Sequence, residues 1–136
     1  MIAAYGALAI LATIAGQSPS RSVWDGVYTQ GQAKRGESAY AERCVQCHGV
    51  DLNGGDAVPQ LAGTDFLSTW NTKTVGDLFD RIRTSMPSDK PGTLKRQQAS
   101  DILAYVLSVN KFPAGNAELD TDSQSLQQIQ FDAFKQ

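Results

Sequence analysis

The chain has 136 residues, 41% of them hydrophobic, and its 12 Lys and Arg against 14 Asp and Glu leave a formal charge of −2. That length suffices for one compact domain burying roughly two thirds of its unfolded surface. The near-neutral balance lacks the basic stripe of a nucleic-acid binder, so no nucleic-acid partner is expected. Charge is unevenly spread: residues 17–112 hold 11 basic and 10 acidic side chains, whereas from Pro113 onward Glu118, Asp120, Asp122 and Asp132 face Lys135 alone.

Residues 1–16, MIAAYGALAILATIAG, carry no charged side chain. The run falls short of the ~20 apolar residues that span a bilayer. It ends in small residues, with Thr13 and Ala15 at the spacing a signal peptidase prefers, which predicts a cleaved export signal. No Lys or Arg follows Met1, so an uncleaved anchor and a mis-assigned start codon are the alternatives. Residues 17–29 read as an extended approach to the domain, with Trp24 and Tyr28 packing somewhere upon it.

Helical signals dominate the rest of the chain. A first helix is predicted over 30–46, with Thr29 as N-cap and Gln32 completing a capping box. Ala33, Gly36, Tyr40 and Cys44 share one stripe of it. Gly36 in mid-helix costs up to about 1 kcal/mol against Ala; either another backbone comes close there or the residue is merely tolerated. The segment GVDLNGGDAVPQLAG, residues 49–63, is an irregular loop with four glycines and one proline. A short helix is predicted over 65–70 with Thr64 as cap. Another is predicted over 75–83, with Thr74 and Asp77 as capping pair and Val75, Leu78, Phe79 and Ile82 as buried stripe. The loop TSMPSDKPG breaks the chain. A last core helix is predicted over 95–109, where Ile102, Tyr105, Val106 and Val109 repeat at helical spacing and Leu103 and Leu107 widen the face. The tail from Pro113 is expected to hold one weak helix whose Leu126, Ile129, Ala133 and Phe134 lie back on the domain. The expected division is a leader at 1–16, an N-terminal extension at 17–29, a domain at 30–112 and an acidic extension at 113–136.

Both cysteines and the only histidine fall within Cys44–His48, CVQCH. A disulfide between Cys44 and Cys47 would close a loop too small to remove much unfolded-state entropy. A thioredoxin-like pair calls for a βαβ context, and no strand is predicted nearby. Structural zinc needs four ligands, and these three residues leave one missing. Adjacent residues at a helix end do not converge on one reacting atom as a Cys–His dyad must. The remaining reading is covalent haem, for which C-x-x-C-H is the attachment signature. Nearly one helical turn separates Cys44 from Cys47, which suits two thioether bonds along one edge of a porphyrin, and His48 is placed to ligate iron from the proximal side. Besides the initiator the chain has one methionine, Met86. A methionine is most often a core filler, but this one sits at a helix end beside a proline, 38 residues after His48. It is assigned as the distal iron ligand. His/Met ligation raises the reduction potential and leaves no open position for oxygen or peroxide.

The segments GESAYAERCVQCHG, VPQLAG, RTSMP and ASDILAYVLSVN resemble a monohaem class I cytochrome c over residues 30–112. That resemblance implies an all-α fold of about four to five helices wrapped around one covalent haem c. It implies a close crossing of the N- and C-terminal helices, with Gly36 and Tyr40 meeting Tyr105. Pro59 matches the residue whose carbonyl accepts from the proximal imidazole. Leu61 matches an apolar haem contact, and Trp70 matches a haem-propionate neighbour, with plain core packing as its alternative. The segments SVWDGVYTQGQAKRG, TVGDLFDRIRTSMP and ILAYVLSVNKFPAG are further similar to bacterial cytochromes associated with periplasmic quinoprotein dehydrogenases.

The resemblance therefore implies a periplasmic one-electron carrier, not itself an enzyme. It is expected to be a monomer without a membrane span in its mature form, shuttling from a dehydrogenase to a terminal oxidase or another cytochrome. The alternatives are a haem-bearing subunit of a larger complex, and an enzyme or gas sensor with an open iron site.

Overall fold

The structure is a computed structural model that describes residues 19–135. The expected leader at 1–16 lies outside the described residues. Strand β1 (Arg21–Ser22) runs into a 3-10 turn (Val23–Asp25). Then come α1 (Gln30–Arg43), α2 (Val45–His48), α3 (Thr64–Trp70), α4 (Val75–Ser85), α5 (Arg96–Val109), α6 (Ser123–Leu126) and strand β2 (Ile129–Gln130). The two strands pair in parallel, Arg21 with Ile129 and Ser22 with Gln130. The helical expectation holds, with six helices among the described residues where four to five were predicted. The difference arises at Cys44, whose φ of −126° and ψ of −32° divide the first predicted helix into α1 and α2.

Helices α1 and α5 form the most extensive contact between elements. A Cβ on Gly36 would fall onto the Asp101 carbonyl and lie 2.9 Å from the Tyr105 Cβ. The glycine is thus required by close backbone approach, as one of the two sequence readings held. One turn further on, the Tyr40 and Tyr105 rings pack with centroids 5.4 Å apart.

The capping box at the start of α1 is half formed. Thr29 Oγ1 accepts from the Gln32 amide at 3.1 Å, but the Gln32 side chain does not turn back to the cap. It is fully buried, donates to Ser100 Oγ and the Leu119 carbonyl, and accepts from the Leu119 amide at 2.7 Å. This buried amide ties α1 to α5 and to the tail, and its full satisfaction makes the burial tolerable. Beside it, Arg35 grips Asp101 and Glu118 in two forked contacts. At α3, Gly63 and not Thr64 is the N-cap. The capping box of α4 forms in full between Thr74 and Asp77, and Val75, Leu78 and Phe79 are buried while Ile82 is half-buried.

Both flanks join the core. Trp24 packs edge-on against Phe112 at 4.8 Å and donates from Nε1 to the Asp132 carbonyl at 2.8 Å. The Tyr28 hydroxyl donates to the Phe112 carbonyl at 2.6 Å. In the tail the weak helix is one turn, α6, after which the chain extends into β2. Leu126, Ile129 and Ala133 are buried as expected, whereas Phe134 is 54% exposed. Phe131 takes the buried aromatic position, packing on Phe66 and Phe112. The extended backbone explains the exchange: side chains alternate with period 2, so Ile129, Phe131 and Ala133 point inward together.

Replacing Gly36 by Ala would gain about 1 kcal/mol of helix propensity and force α1 away from α5, an overpacking cost of roughly 1–3 kcal/mol. The net expectation is lower stability, read as a reduced denaturant midpoint with unchanged slope. A midpoint equal to or above that of the parent would contradict the close approach.

Candidate functional site

The single turn α2 carries Cys47 and His48, and Cys44 opens it. Cys44 donates its amide to the Tyr40 carbonyl at 2.8 Å, and the Cys44 carbonyl accepts from His48 at 2.9 Å. The turn is clamped from α1 by the Tyr40 hydroxyl, which donates to the Gly49 carbonyl at 2.6 Å. Burial, and then the neighbouring Cys44 and Tyr105, push the Tyr40 phenol well above its ordinary value, so it stays a hydrogen-bond donor at any physiological pH.

His48 is buried, with 7% exposure. Its Nδ1 lies 2.9 Å from the Pro59 carbonyl oxygen. A carbonyl only accepts, so Nδ1 is the donor in this contact and Nε2 is the ring nitrogen left for another partner. The Pro59 carbonyl is held in turn by the loop around it. Gly54 sits at φ 67° and donates to the His48 carbonyl at 2.9 Å. A Cβ there would strike the Val58 carbonyl and lie 2.8 Å from the Pro59 oxygen. Leu61 donates to the Leu52 carbonyl at 2.8 Å. From the end of α5, Asn110 Nδ2 donates to the Leu61 carbonyl at 2.9 Å while its Oδ1 accepts from Gly63 at 3.1 Å.

Cys44 and Cys47 are both free thiols, the first half-buried and the second exposed. Burial pushes the Cys44 thiol up to about 11, with Cys47 adding to the rise and Arg43 opposing it. A redox-active dithiol needs a depressed thiol value at its nucleophile, so Cys44 is a poor candidate for that chemistry. Among the described residues no group of three or more His, Cys, Asp or Glu side chains converges to hold a bare metal ion, which disfavours the zinc reading as well.

The other sequence-selected residues close separate helices. Trp70 ends α3, half-buried, with its ring 6.4 Å from Phe66 and Lys73 Nζ 5.8 Å from its centroid. Met86 is the half-buried C-cap of α4, donating its amide to the Ile82 carbonyl at 3.1 Å. Leu61 is half-buried against the core. Of the seven residues, hydrogen bonding brings together His48 and Pro59; among the described residues no hydrogen bond links Trp70 or Met86 to the Cys44–His48 turn. Gly54, Asn110 and Arg83 escaped sequence reasoning. The Gly54–Gly55 pair marked a turn, but its contact with Val58 and Pro59 is set by the fold of the loop, and Asn110 looked like an ordinary helix terminus. Arg83, on the last turn of α4, has a buried Nε without any acceptor, the sole such side-chain atom among the described residues.

A helical fold with a buried histidine directly after two free thiols agrees with a cytochrome c fold. The profile of the family described as cytochrome c oxidase, cbb3-type, subunit III, matches residues 31–106, more than half of the chain, and the chain belongs to that cytochrome c family. It is 28% identical over 86 residues to the cbb3-type cytochrome c oxidase subunit CcoP of Rubrivivax gelatinosus, covering 57% of this chain and 26% of that protein. The chain therefore spans about a quarter of that relative's length. It is 29% identical over 98 residues to cytochrome c-554(547) of Halothiobacillus neapolitanus, covering 70% of this chain and 91% of that one. Cytochrome c of Kluyveromyces lactis is 26% identical over 106 residues, 62% of this chain and 96% of that protein. A chain of the sulfane dehydrogenase SoxCD from Paracoccus pantotrophus has the same fold, with a TM-score of 0.51 and 23% identity over 79% of this chain and 61% of that one.

Membership of this family implies haem c with its iron, and an electron-transfer role. The residues present fit that group: two free thiols three residues apart, an imidazole already bonded at Nδ1, and a buried guanidinium nitrogen without an acceptor.

Substituting Gly54 by Ala should push the Val58 and Pro59 carbonyls away and release the His48 Nδ1–H. Overpacking of this kind costs about 1–3 kcal/mol. The expected signature is faster solvent exchange of the His48 ring N–H by NMR together with a lowered unfolding midpoint. Unchanged exchange would show that Gly54 does not hold the Pro59 carbonyl in place.

Proposed function

We propose that this chain is a periplasmic one-electron carrier holding one covalent haem c, with the electron-transfer unit at residues 30–112, extensions at 17–29 and 113–136, and a leader at 1–16. Cys44 and Cys47 supply the thioether sulfurs, and His48 and Met86 ligate the iron. Haem c, when bound, supplies an Fe(III)/Fe(II) couple. Everything else falls to the polypeptide. Pro59, through its carbonyl, holds the His48 ring in one orientation and raises its basicity as a ligand. Met86 offers a soft sulfur, which stabilises the reduced metal, raises the potential and fills the last coordination position. Leu61 is an apolar contact of the group and Trp70 a neighbour of one of its propionates. The chain then moves electrons and carries out no bond-making of its own.

The observation that supports this reading best is the His48 Nδ1 to Pro59 oxygen distance of 2.9 Å, because it engages Nδ1, fixes the ring, and leaves Nε2 as the nitrogen available to a metal. The donor is placed as a dehydrogenase, such as a quinoprotein dehydrogenase, and the acceptor as a terminal oxidase or another cytochrome. Among the described residues no helix is long and apolar enough to cross a membrane, and a monomer is proposed. A second reading, a haem-bearing subunit of a larger complex, draws on the similarity to CcoP. The matches that extend over nine-tenths or more of the relatives named simply as cytochromes favour the carrier.

Intact mass and optical spectra of protein made in cells competent for haem attachment test the assignment. The expected mass is the polypeptide plus one haem, with the leader absent and ferric sulfur ligation visible. Met86→Ala should retain the haem, lower the midpoint potential, and let the reduced iron bind carbon monoxide. A mass equal to the polypeptide alone would remove the haem, and an unaltered Met86→Ala spectrum would remove Met86 as ligand.

A further inference from the structure

Arg83 stands out for what it lacks. The other buried polar or charged side chains of the core have partners: Gln32 and Ser100 bond to each other and to the tail, Asp101 is held by Arg35 and Gln97, and His48 by Pro59. The Nε of Arg83 is sealed from solvent and has none. A guanidinium is charged at every accessible pH, and a buried donor left unpaired costs about 1–3 kcal/mol, more when it bears charge. Such a cost persists where an acceptor arrives with something else.

The carboxylates on the same helix bond to other groups. Asp77 accepts from the Thr74 amide and from Gln127 Nε2, and Asp80 Oδ2 accepts from Ser123 Oγ at 2.7 Å. Asp77 lies in the first turn of α4 and Asp80 one turn before Arg83, which sits in the last turn, three residues before Met86; neither carboxylate bonds to the Arg83 Nε. Arg81, two residues earlier, is exposed to solvent. The described residues thus supply the Arg83 Nε with no acceptor, and an anion bound near the Met86 end of α4 would supply one. Of the groups implied for this site, haem alone brings anions there, in its two propionate carboxylates.

The geometry points to Arg83 as a haem-propionate partner that donates its Nε–H to a carboxylate oxygen and sets the reduction potential through that charge. This rests on the haem reading above. A charge-assisted hydrogen bond to a carboxylate is about twice as strong as a neutral one, which turns an unsatisfied donor into a favourable contact. A fixed cation close to the haem also disfavours the oxidised state, which carries one more positive charge than the reduced state. Arg83 is thus a positioning and potential-setting residue, distinct from the iron ligands.

The test compares midpoint potentials of purified holoprotein for the parent, Arg83→Met, Arg83→Lys and Arg81→Met. Arg81→Met removes the same formal charge from an exposed position of the same helix. The expected result is a downward shift for Arg83→Met well beyond that of Arg81→Met, with Arg83→Lys recovering most of the loss. Equal shifts for Arg83→Met and Arg81→Met would overturn the inference while leaving covalent haem intact, as the spectrum of each variant would show. If Arg83→Met fails to load haem, a crystal structure of the parent holoprotein decides. Nε within hydrogen-bonding distance of a propionate oxygen supports the assignment, and Nε on a protein carbonyl or a water overturns it. A parent protein without haem would instead fail at the first spectrum, before any variant is compared.

Discussion

The hydrogen bond from His48 Nδ1 to the Pro59 carbonyl is the constraint on which the rest of the site depends. It fixes the tautomer and orientation of the chain's sole imidazole, and both ends of it are backed by other elements. The histidine end is fastened to α1 through Tyr40 and the Gly49 carbonyl. The proline end is fastened to α5 through Asn110, which holds both the Leu61 carbonyl and the Gly63 amide. Helices α1 and α5 in turn close on each other at Gly36 and Asp101. The result is a closed mechanical circuit: α1, the Cys44–His48 turn, the glycine-rich loop, α5, and back to α1. Loosening any joint changes the orientation of the imidazole, because a buried side chain is only as well placed as the contacts behind it.

The segments outside 30–112 contribute to this circuit without entering it. The tail crosses α1 and α5 at the buried Gln32 node and then lies along α4, where Thr74 Oγ1 donates to Gln127 Oε1 at 2.5 Å. Its Phe131 completes an aromatic cluster with Phe66 and Phe112, and fully burying such a side chain contributes roughly 1.5–3 kcal/mol. The N-terminal segment adds Trp24 to the same cluster and meets the tail where Gly26 and Gly115 approach so closely that neither could carry a Cβ. An acidic tail that looked like an appendage in composition is thus a packed wall of the domain. Its charges sit outside, and Glu118 is engaged by Arg35.

Legibility in the sequence divides along a physical line. Local signals were readable: the α4 capping box, the apolar faces of α4 and α5, the glycine at the helix crossing, and the dense Cys44–His48 motif. Signals carried by long-range partners were not. Gln32 reads as a capping residue because Thr29 stands three positions before it, yet burial beside Ser100 and Leu119 prevails over the local bond. Phe134 reads as the inward aromatic only if the tail is helical; strand pairing between β1 and β2, invisible to a local pattern, shifts the period from 3.6 to 2 and selects Phe131. The Pro59 contact with His48 was implied by resemblance alone, since nothing in the spacing of residues 49–63 says which carbonyl would meet the ring.

The two ends of α4 show how stability and function are separated within one element. At its start every polar group is committed: Thr74 and Asp77 cap each other, Gln127 bonds to both, and Ser123 occupies Asp80. At its end, Arg83 has a sealed donor without an acceptor, and Met86 offers a thioether beside a proline. A helix that relied on both ends for its stability would leave none of its groups to a cofactor. By anchoring the N-terminal turn to the tail, the chain leaves the Arg83 Nε and the Met86 thioether of the C-terminal turn outside that network. That arrangement gives the acidic extension a role that its sequence alone does not suggest: it braces α4 through Gln127 and Ser123.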